Sequence, residues 1–216
     1  MKVIFCLPGK EFSDHWVRSW TETIAECSKH GIEWAMSMNY DPVVYYARNR
    51  VLGGNNTTGR TQKPFQSGFD YDYQFWIDSD IVWKASDVIT LLSHGKNIVS
   101  GCYPMAHASE YPIVEKLDYD KLLEQGSFSF MQRDALDAKQ GLFTANYIGF
   151  GFVAVAHGVM ESMEYPWFRP RWVDKPPFLE FTAEDVGFCW SALEQGYEIW
   201  IDPAVRVGHL KSTVIR

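Results

Sequence analysis

Over its first hundred residues the chain alternates short apolar runs with segments of helical period, and nothing else in it restricts the fold as much. Residues 2–7 (KVIFCL) form a continuous apolar run closed by Pro8-Gly9, the pattern of a strand buried on both faces of a mostly parallel sheet. Trp16, Val17, Trp20, Ile24 and Cys27 then recur at helical spacing, with Ser13 placed to cap the start and Gly31 to mark the stop. Residues 32–38 read as a second strand, and 43–52 as a second helix ahead of the Gly53-Gly54-Asn55-Asn56 loop. A third strand at 73–77, a helix at 86–92 and a fourth strand at 98–102 complete the series. Such a β-α-β succession predicts an α/β fold: an open, mixed but mostly parallel sheet flanked by helices and joined by right-handed crossovers.

From 103 to 147 the rhythm is lost. Short β-like pieces at 113–117 and 127–131 alternate with polar connections, and this stretch is expected to supply a small antiparallel part of the sheet. Strand character returns over 147–156. A short helix near 158–163, a Pro- and Trp-rich loop within 166–180, a helix over 183–195 and strands at 197–201 and 205–207 follow. No internal repeat or low-complexity segment interrupts the 216 residues, so one domain is expected, with 1–102 as its nucleotide-binding half and 103–216 as the half that faces an acceptor.

Charge narrows the partners. Twenty Lys and Arg against 27 Asp and Glu give a net charge of −7, which argues against a broad nucleic-acid or anionic-membrane surface, since such surfaces draw their affinity from clustered cations. An anionic substrate would then need a local site or a metal. Apolar stretches such as 148–156 fall well short of the ~20 residues of a membrane span, and no signal segment or anchor is visible. Cys6, Cys27, Cys102 and Cys189 are far apart and form no CxxC pair, as expected for reduced core thiols of a cytoplasmic protein.

Three groups of residues carry possible chemistry. Asp78-Ser79-Asp80 ends the third strand, the position where open α/β sheets collect ligands. If the backbone stays extended there, both carboxylates face one point, and hard oxygen donors of that kind suit Mg²⁺ or Mn²⁺. The same tripeptide is also ordinary turn chemistry. Thr182-Ala183-Glu184-Asp185 opens the last helix, with Thr182 and Asp185 spaced as an N-cap and N3 pair and Val186, Cys189, Trp190 and Leu193 as its buried face. Its acids are explained either by the helix dipole or by catalysis. His209, after Val205-Arg206-Val207-Gly208, is a surface or core histidine or a ligand at the sheet rim, and Lys211 is a cation two residues on.

Together these pieces resemble the GT-A-fold, nucleotide-sugar-dependent glycosyltransferases. FWIDSDIVW (75–83) is similar to the family's DXD motif, and TAEDVGFCWSALEQGYEIWIDPAVRVGHLKS (182–212) to its acidic helix, Gly-Tyr strand, Asp-Pro turn and terminal metal-binding histidine. KVIFCLPG resembles the first nucleotide-binding strand, and NYIGFGFVAVAHGVMESMEYPWF the acceptor-side segment. The size is that of a near-minimal catalytic domain, of the kind found in bacterial or phage genomes; if phage-encoded, it would work in the host cytoplasm. The resemblance implies Mn²⁺ or Mg²⁺ held by Asp78, Asp80 and His209, with Lys211 a second cation beside the diphosphate. It further implies a nucleotide pocket at Pro8, Gly9, Asn39, Arg48 and Ser79, and Asp185, or else Glu184, as the general base of the motif if the transfer inverts. Arg48 alone could equally be a helix-surface cation. Trp167 and Trp172, on the Pro-rich loop with Phe168, would stack on an acceptor sugar, form a lid, or simply pack the loop.

The activity so implied is transfer of a hexose from a nucleotide diphosphate sugar, with a UDP-sugar as the family expectation, to a saccharide or other hydroxyl acceptor. A sugar nucleotidyltransferase is disfavoured because LPGKEFSDHW after the first strand contains a single glycine, not a Gly-rich phosphate loop. A non-catalytic protein of this fold that binds the nucleotide sugar or a carbohydrate is the other alternative.

Overall fold

The computed structural model describes residues 1–106 and 108–212. Seven strands make the central sheet: β1 (Lys2–Pro8), β2 (Glu33–Asn39), β3 (Tyr73–Ile77), β4 (Ile98–Cys102), β5 (Phe143–Ala145), β6 (Phe152–Ala156) and β7 (Ile199–Arg206), in the spatial order β2-β1-β3-β6-β4-β7-β5. β1 pairs in parallel with β2 and β3, and β4 with β7, whereas β6 and β5 run antiparallel to their neighbours. The expected open, mixed, mostly parallel α/β sheet is therefore what the chain adopts.

Sequence chemistry accounts for the elements locally. In helix α1 (Asp14–Lys29) the Ser13 hydroxyl accepts from the Trp16 N–H, as a cap should. The helix seats itself by two hydroxyls: Ser19 Oγ donates to the Trp83 carbonyl at 2.7 Å, and Thr23 Oγ1 accepts from Trp83 Nε1 at 2.8 Å. That contact turns Val17 out to solvent, so the helix face runs through Trp16, Ser19, Thr23 and Cys27, not through Val17. Helices α2 (Val44–Val51) and α3 (Ala85–Ser93) follow the second and third strands as expected.

Beyond β4 the structure departs from what the sequence predicts. The region 103–147 contains two short helices, α4 (Tyr119–Gln125) and α5 (Arg133–Asp137), and its β content is confined to two-residue pairs and to the edge strand β5. The antiparallel strand at the centre of the sheet comes instead from Phe152–Ala156: Gly149-Phe150-Gly151 breaks the run 147–156, so that 147–148 pairs with 113–114 while Phe152–Ala156 enters the gap between β3 and β4. Half of the Pro- and Trp-rich loop is a β-hairpin, Trp172–Lys175 against Phe178–Phe181. The two final strands are one, β7, with a register irregularity between Ile201 and Arg206 around Pro203.

Helix α6 (Glu184–Glu194) starts one residue later than a Thr182 cap would give. Thr182 remains in register with Arg171, its N–H donating to the Arg171 carbonyl and its Oγ1 accepting from the Arg171 N–H, both at 2.8 Å, so Ala183 holds the cap position without a side-chain bond. Gly187 then lets the helix pass the Arg169 carbonyl: a Cβ there would lie 1.9 Å from that oxygen. A Gly to Ala change inside a helix ordinarily stabilises by about 0.5–1 kcal/mol. At this site the sign reverses: Gly187→Ala is expected to lower stability by about 1–3 kcal/mol in urea denaturation, the range for overpacking. A variant as stable as the parent would show that the Arg169 backbone yields.

Candidate active site

The sequence-selected acids and cations gather where β1, β2, β3 and β7 end, Asp80 with His209 and Lys211, and Asp78 with Arg48 and Glu184. The strand stops at Ile77, and the Ile81 N–H donates to the Asp78 carbonyl at 3.2 Å, so 78–80 form a turn and the extended-backbone argument does not apply. The two carboxylates consequently take different partners, although both line one cleft of about 280 Å³ together with Pro8, Gly9, Ser79, Tyr40 and Asp41. Gly9 is needed for that approach, since a Cβ on it would lie 2.8 Å from Ser79 Cβ at a φ of +157°. Asn39 contributes its backbone, accepting from the Gly9 N–H at 3.0 Å, while its successors Tyr40 and Asp41 line the cleft.

Asp80 is bound from the far end of the chain. Gly208–His209 pairs antiparallel with Ile81–Val82, and the Leu210 N–H donates to the Asp80 carbonyl at 2.7 Å. This short ladder brings His209 Nε2 to 3.0 Å and Lys211 Nζ to 2.8 Å from the same oxygen, Asp80 Oδ2. His209 Nδ1 meets the Pro104 carbonyl at 2.8 Å, so both ring nitrogens face acceptors and donate to them as an imidazolium; burial works against that charge, but the bonds to Asp80 and Pro104 outweigh it and raise the pKa. Burial works to raise the Asp80 pKa, but the bonds from His209 and Lys211 outweigh it and hold the acid down at about 2.

Arg48 is not a nucleotide-facing cation. It is buried, and its guanidinium bridges Asp78 Oδ2 at 3.0 Å, Glu184 Oε1 at 3.1 Å and the Phe150 carbonyl at 3.3 Å. The rings of Trp76, Phe150 and Phe168 surround it, within 5.4–5.9 Å of its centre. Burial by itself would discharge the guanidinium, but Asp78, Glu184 and Asp185 outweigh it and raise its pKa, so Arg48 is permanently charged. Burial pushes the Asp78 carboxyl upward against the pull of Arg48.

Asp185 sits beside this network on the first turn of α6. Its Oδ2 accepts from the Tyr147 hydroxyl at 3.1 Å and its Oδ1 from the Val186 N–H at 2.8 Å. Burial and the neighbouring Glu184 charge raise its pKa to about 6, against the opposing effects of Arg48, Val186 and Tyr147. Tyr103 was invisible to the sequence reading. Its buried hydroxyl accepts from the Gly151 N–H at 3.2 Å, burial and the charges of Asp78 and Asp185 raise its pKa, and it fits only because residue 149 has no Cβ, which would lie 2.2 Å from the hydroxyl oxygen.

The two loop tryptophans differ from their expected roles. Trp167 is 1% exposed and packs edge-on against Tyr165 in the core, so it cannot meet an acceptor, whereas Trp172 is 59% exposed and lies against Phe181 on the hairpin, ring centres 3.6 Å apart. Among the described residues no three His, Cys, Asp or Glu side chains form a metal cage, because Asp78 is turned to Arg48. Asp80 and His209 alone do fit a cation. Their donor atoms stand 3.0 Å apart, the spacing of adjacent ligands about 2.1 Å from an octahedral ion, and a carboxylate with an imidazole suits Mn²⁺ at least as well as Mg²⁺.

No protein-family model matches the chain, and no curated protein sequence does so significantly. Solved structures do match. A197 from STIV superposes with a TM-score of 0.60 at 16% identity, over 98% of this chain and 87% of that one, which shows a shared fold. GalNAc-T7, solved with UDP, GalNAc and Mn²⁺, aligns with a TM-score of 0.47 at 9% identity over 97% of this chain but 44% of its own. The inositol-1-phosphate CTP transferase from T. maritima aligns at 0.43 and 10% identity, over 98% and 89%. No helix among the described residues is long and apolar enough to cross a membrane.

Removing the central cation tests the network. Arg48→Met would leave Asp78 and Glu184 without their partner and is expected to cost about 3–5 kcal/mol in urea denaturation at neutral pH. Arg50→Met, which breaks the more exposed pair with Asp41, should cost less than about 1 kcal/mol. Equal losses would mean that the Arg48 bridges contribute little.

Proposed function

We propose that this chain is a metal-dependent glycosyltransferase that moves a hexose from a nucleotide diphosphate sugar, preferably a UDP-sugar, to a hydroxyl acceptor. The observation that carries the reading is the meeting of Asp80, His209 and Lys211, 131 residues apart at the extremes, at the mouth of the cleft that Pro8, Gly9 and Ser79 line. Such a cleft at the strand ends suits a nucleotide, and a pyrophosphate is the group that its cations would meet. Asp80 and His209 would hold Mn²⁺, with Mg²⁺ as substitute and Asp78 reaching the ion only through water or the nucleotide. A bound cation of this kind supplies charge neutralisation for a departing diphosphate.

The chain's own residues do the rest. Lys211 would leave Asp80 for the diphosphate, since one carboxylate oxygen cannot serve imidazole, ammonium and metal together. Arg48 positions Asp78 and Glu184 and touches neither substrate. Asp185 would accept the proton of the acceptor hydroxyl in an inverting transfer. A carboxylate with a pKa of about 6 is still ionised at neutral pH yet is a stronger base than an exposed aspartate, and Tyr147 orients its oxygens. Trp172 and Phe181 would offer an aromatic face to the acceptor sugar.

Asp80→Ala is expected to abolish Mn²⁺-dependent UDP binding in calorimetry while leaving the melting temperature within a few degrees, because a half-exposed turn carboxylate packs little. Parent-like Mn²⁺-dependent affinity in that variant would remove the metal assignment. Product formation from a panel of labelled nucleotide sugars, with and without Mn²⁺, tests turnover itself. Donor affinity with no product from any acceptor class would make the chain a binding protein.

Asp185→Asn separates catalysis from structure. Turnover should fall by about 10²–10⁴ with donor affinity unchanged. Stability should move the other way. The folded-state pKa of Asp185 lies above its ordinary value of 3.8, so ionised Asp185 costs stability above pH 6, and that cost is relieved as pH falls through 6 towards 4. The variant should therefore melt higher than the parent at pH 8, by an amount on the order of 1–3 kcal/mol, and lose that advantage by pH 4. A variant that turns over normally and melts lower at pH 8 would make Asp185 a structural acid.

A further inference from the structure

We propose that the free edge of β2 is where two copies of this chain join, strand to antiparallel strand, about a twofold axis through Met36. Among the described residues β2 pairs with β1 alone, leaving the whole of Glu33–Asn39 open on its other side. Proteins usually protect such an edge with proline, lysine, a bulge or a covering loop. The segment EWAMSMN has no proline or basic residue, and its seven-residue register with β1 is unbroken. It carries Trp34, Met36 and Met38 on one face, 40%, 54% and 45% exposed, opposite Val3, Phe5 and Leu7 of β1, which are fully covered. Trp20 of α1 reaches Trp34 edge-on, at 5.7 Å between ring centres, yet Met36 and Met38 stay open. The other face of the strand is engaged, with Ser37 Oγ donating to the Val51 carbonyl at 2.6 Å.

The occupant that fits is the strand itself. An antiparallel pair centred on Met36 sets Met36 against its symmetry mate and Trp34 against Met38 of the other copy, all on the same face, so a three-residue apolar row becomes a six-residue one. Glu33 then lies opposite Asn39 and near the Lys10 that caps the Tyr40 ring at 4.9 Å, an opposite charge, and no like charges face each other. A shift by one residue would turn one copy's apolar row to the opposite sheet face, and a shift by two would leave one of the three apolar residues of each copy without an apolar partner in the strand, so side-chain chemistry favours the register centred on Met36. The two central sheets would merge into one of fourteen strands. The joint ends at Asn39, one residue short of the Tyr40 and Asp41 that line the cleft, and it needs only the strand edge, not the activity proposed above.

Sedimentation equilibrium of the full chain should show a dimer over the low to high micromolar range, and Met36→Lys should shift it at least about tenfold towards monomer by placing two charges face to face, without changing the melting temperature by more than a few degrees. Register is tested by crosslinking. The central residues of an antiparallel pair have Cα atoms about 4.5–5.5 Å apart, inside the disulfide range of about 4.4–6.8 Å, so Met36→Cys should form a symmetric disulfide on mild oxidation. The two copies of residue 38 would be about 14 Å apart, so Met38→Cys should not. All four native cysteines are buried, which keeps the background silent. A monomer at every concentration overturns the inference, as does a dimer that Met36→Lys leaves intact or in which Met38→Cys crosslinks as readily as Met36→Cys.

Discussion

One guanidinium bridges three parts of the chain that are far apart in sequence. Arg48 comes from α2, and it holds the turn after β3 through Asp78, the start of α6 through Glu184 and the bend before β6 through the Phe150 carbonyl. A buried cation is tolerable only when it is fully paired, and here two carboxylates and a carbonyl face it while three aromatic rings exclude water. The cleft inherits its shape from this arrangement. Asp78 is committed to the interior, Asp80 is left at the rim for His209 and Lys211, and Asp185 is set beside a fixed positive charge that restrains its otherwise larger pKa rise.

What the sequence disclosed follows from the range of the interactions involved. β1, β3 and β4 were legible to within a residue because strands buried on both faces leave continuous apolar runs, and α1 because Ser13 and Gly31 bracket it. The part between 103 and 147 was not, since its short elements are fixed by tertiary contacts such as Phe128 against Tyr147, and no period survives in five to seven residues. The hairpin of residues 172–181 was hidden by its prolines. In the site, Asp78, Asp80, His209 and Asp185 were found from strand ends and motif spacing. Their partners were not: nothing local marks Arg48 as buried beneath Asp78, or Tyr103 as the hydroxyl that fills the space above Gly149, because those facts depend on residues 30 to 136 positions away.

Asp80 illustrates how a site can be held ready at modest cost. An imidazole and an ammonium share one of its oxygens. Both are on the short terminal segment that follows β7, tied down by the 81–82 and 208–209 ladder and the Leu210 N–H. Charge there is neutralised locally, so the overall −7 of the chain does not repel an anionic ligand from the cleft mouth as strongly as the total suggests.

The placement of β6 has a consequence for how the molecule comes into being. β3 and β4, both largely apolar and buried, are not neighbours; the gap between them is filled by Phe152–Ala156, which begins fifty residues after the end of β4. A ribosome that has released the first hundred residues has therefore delivered the block β2-β1-β3 and a solitary β4, since β7 as well as β6 is still to come, with no means of joining them. Assembly has to wait for a late insertion of high sequence separation, which makes folding slow for this length and leaves the nascent chain dependent on protection until the missing strand arrives.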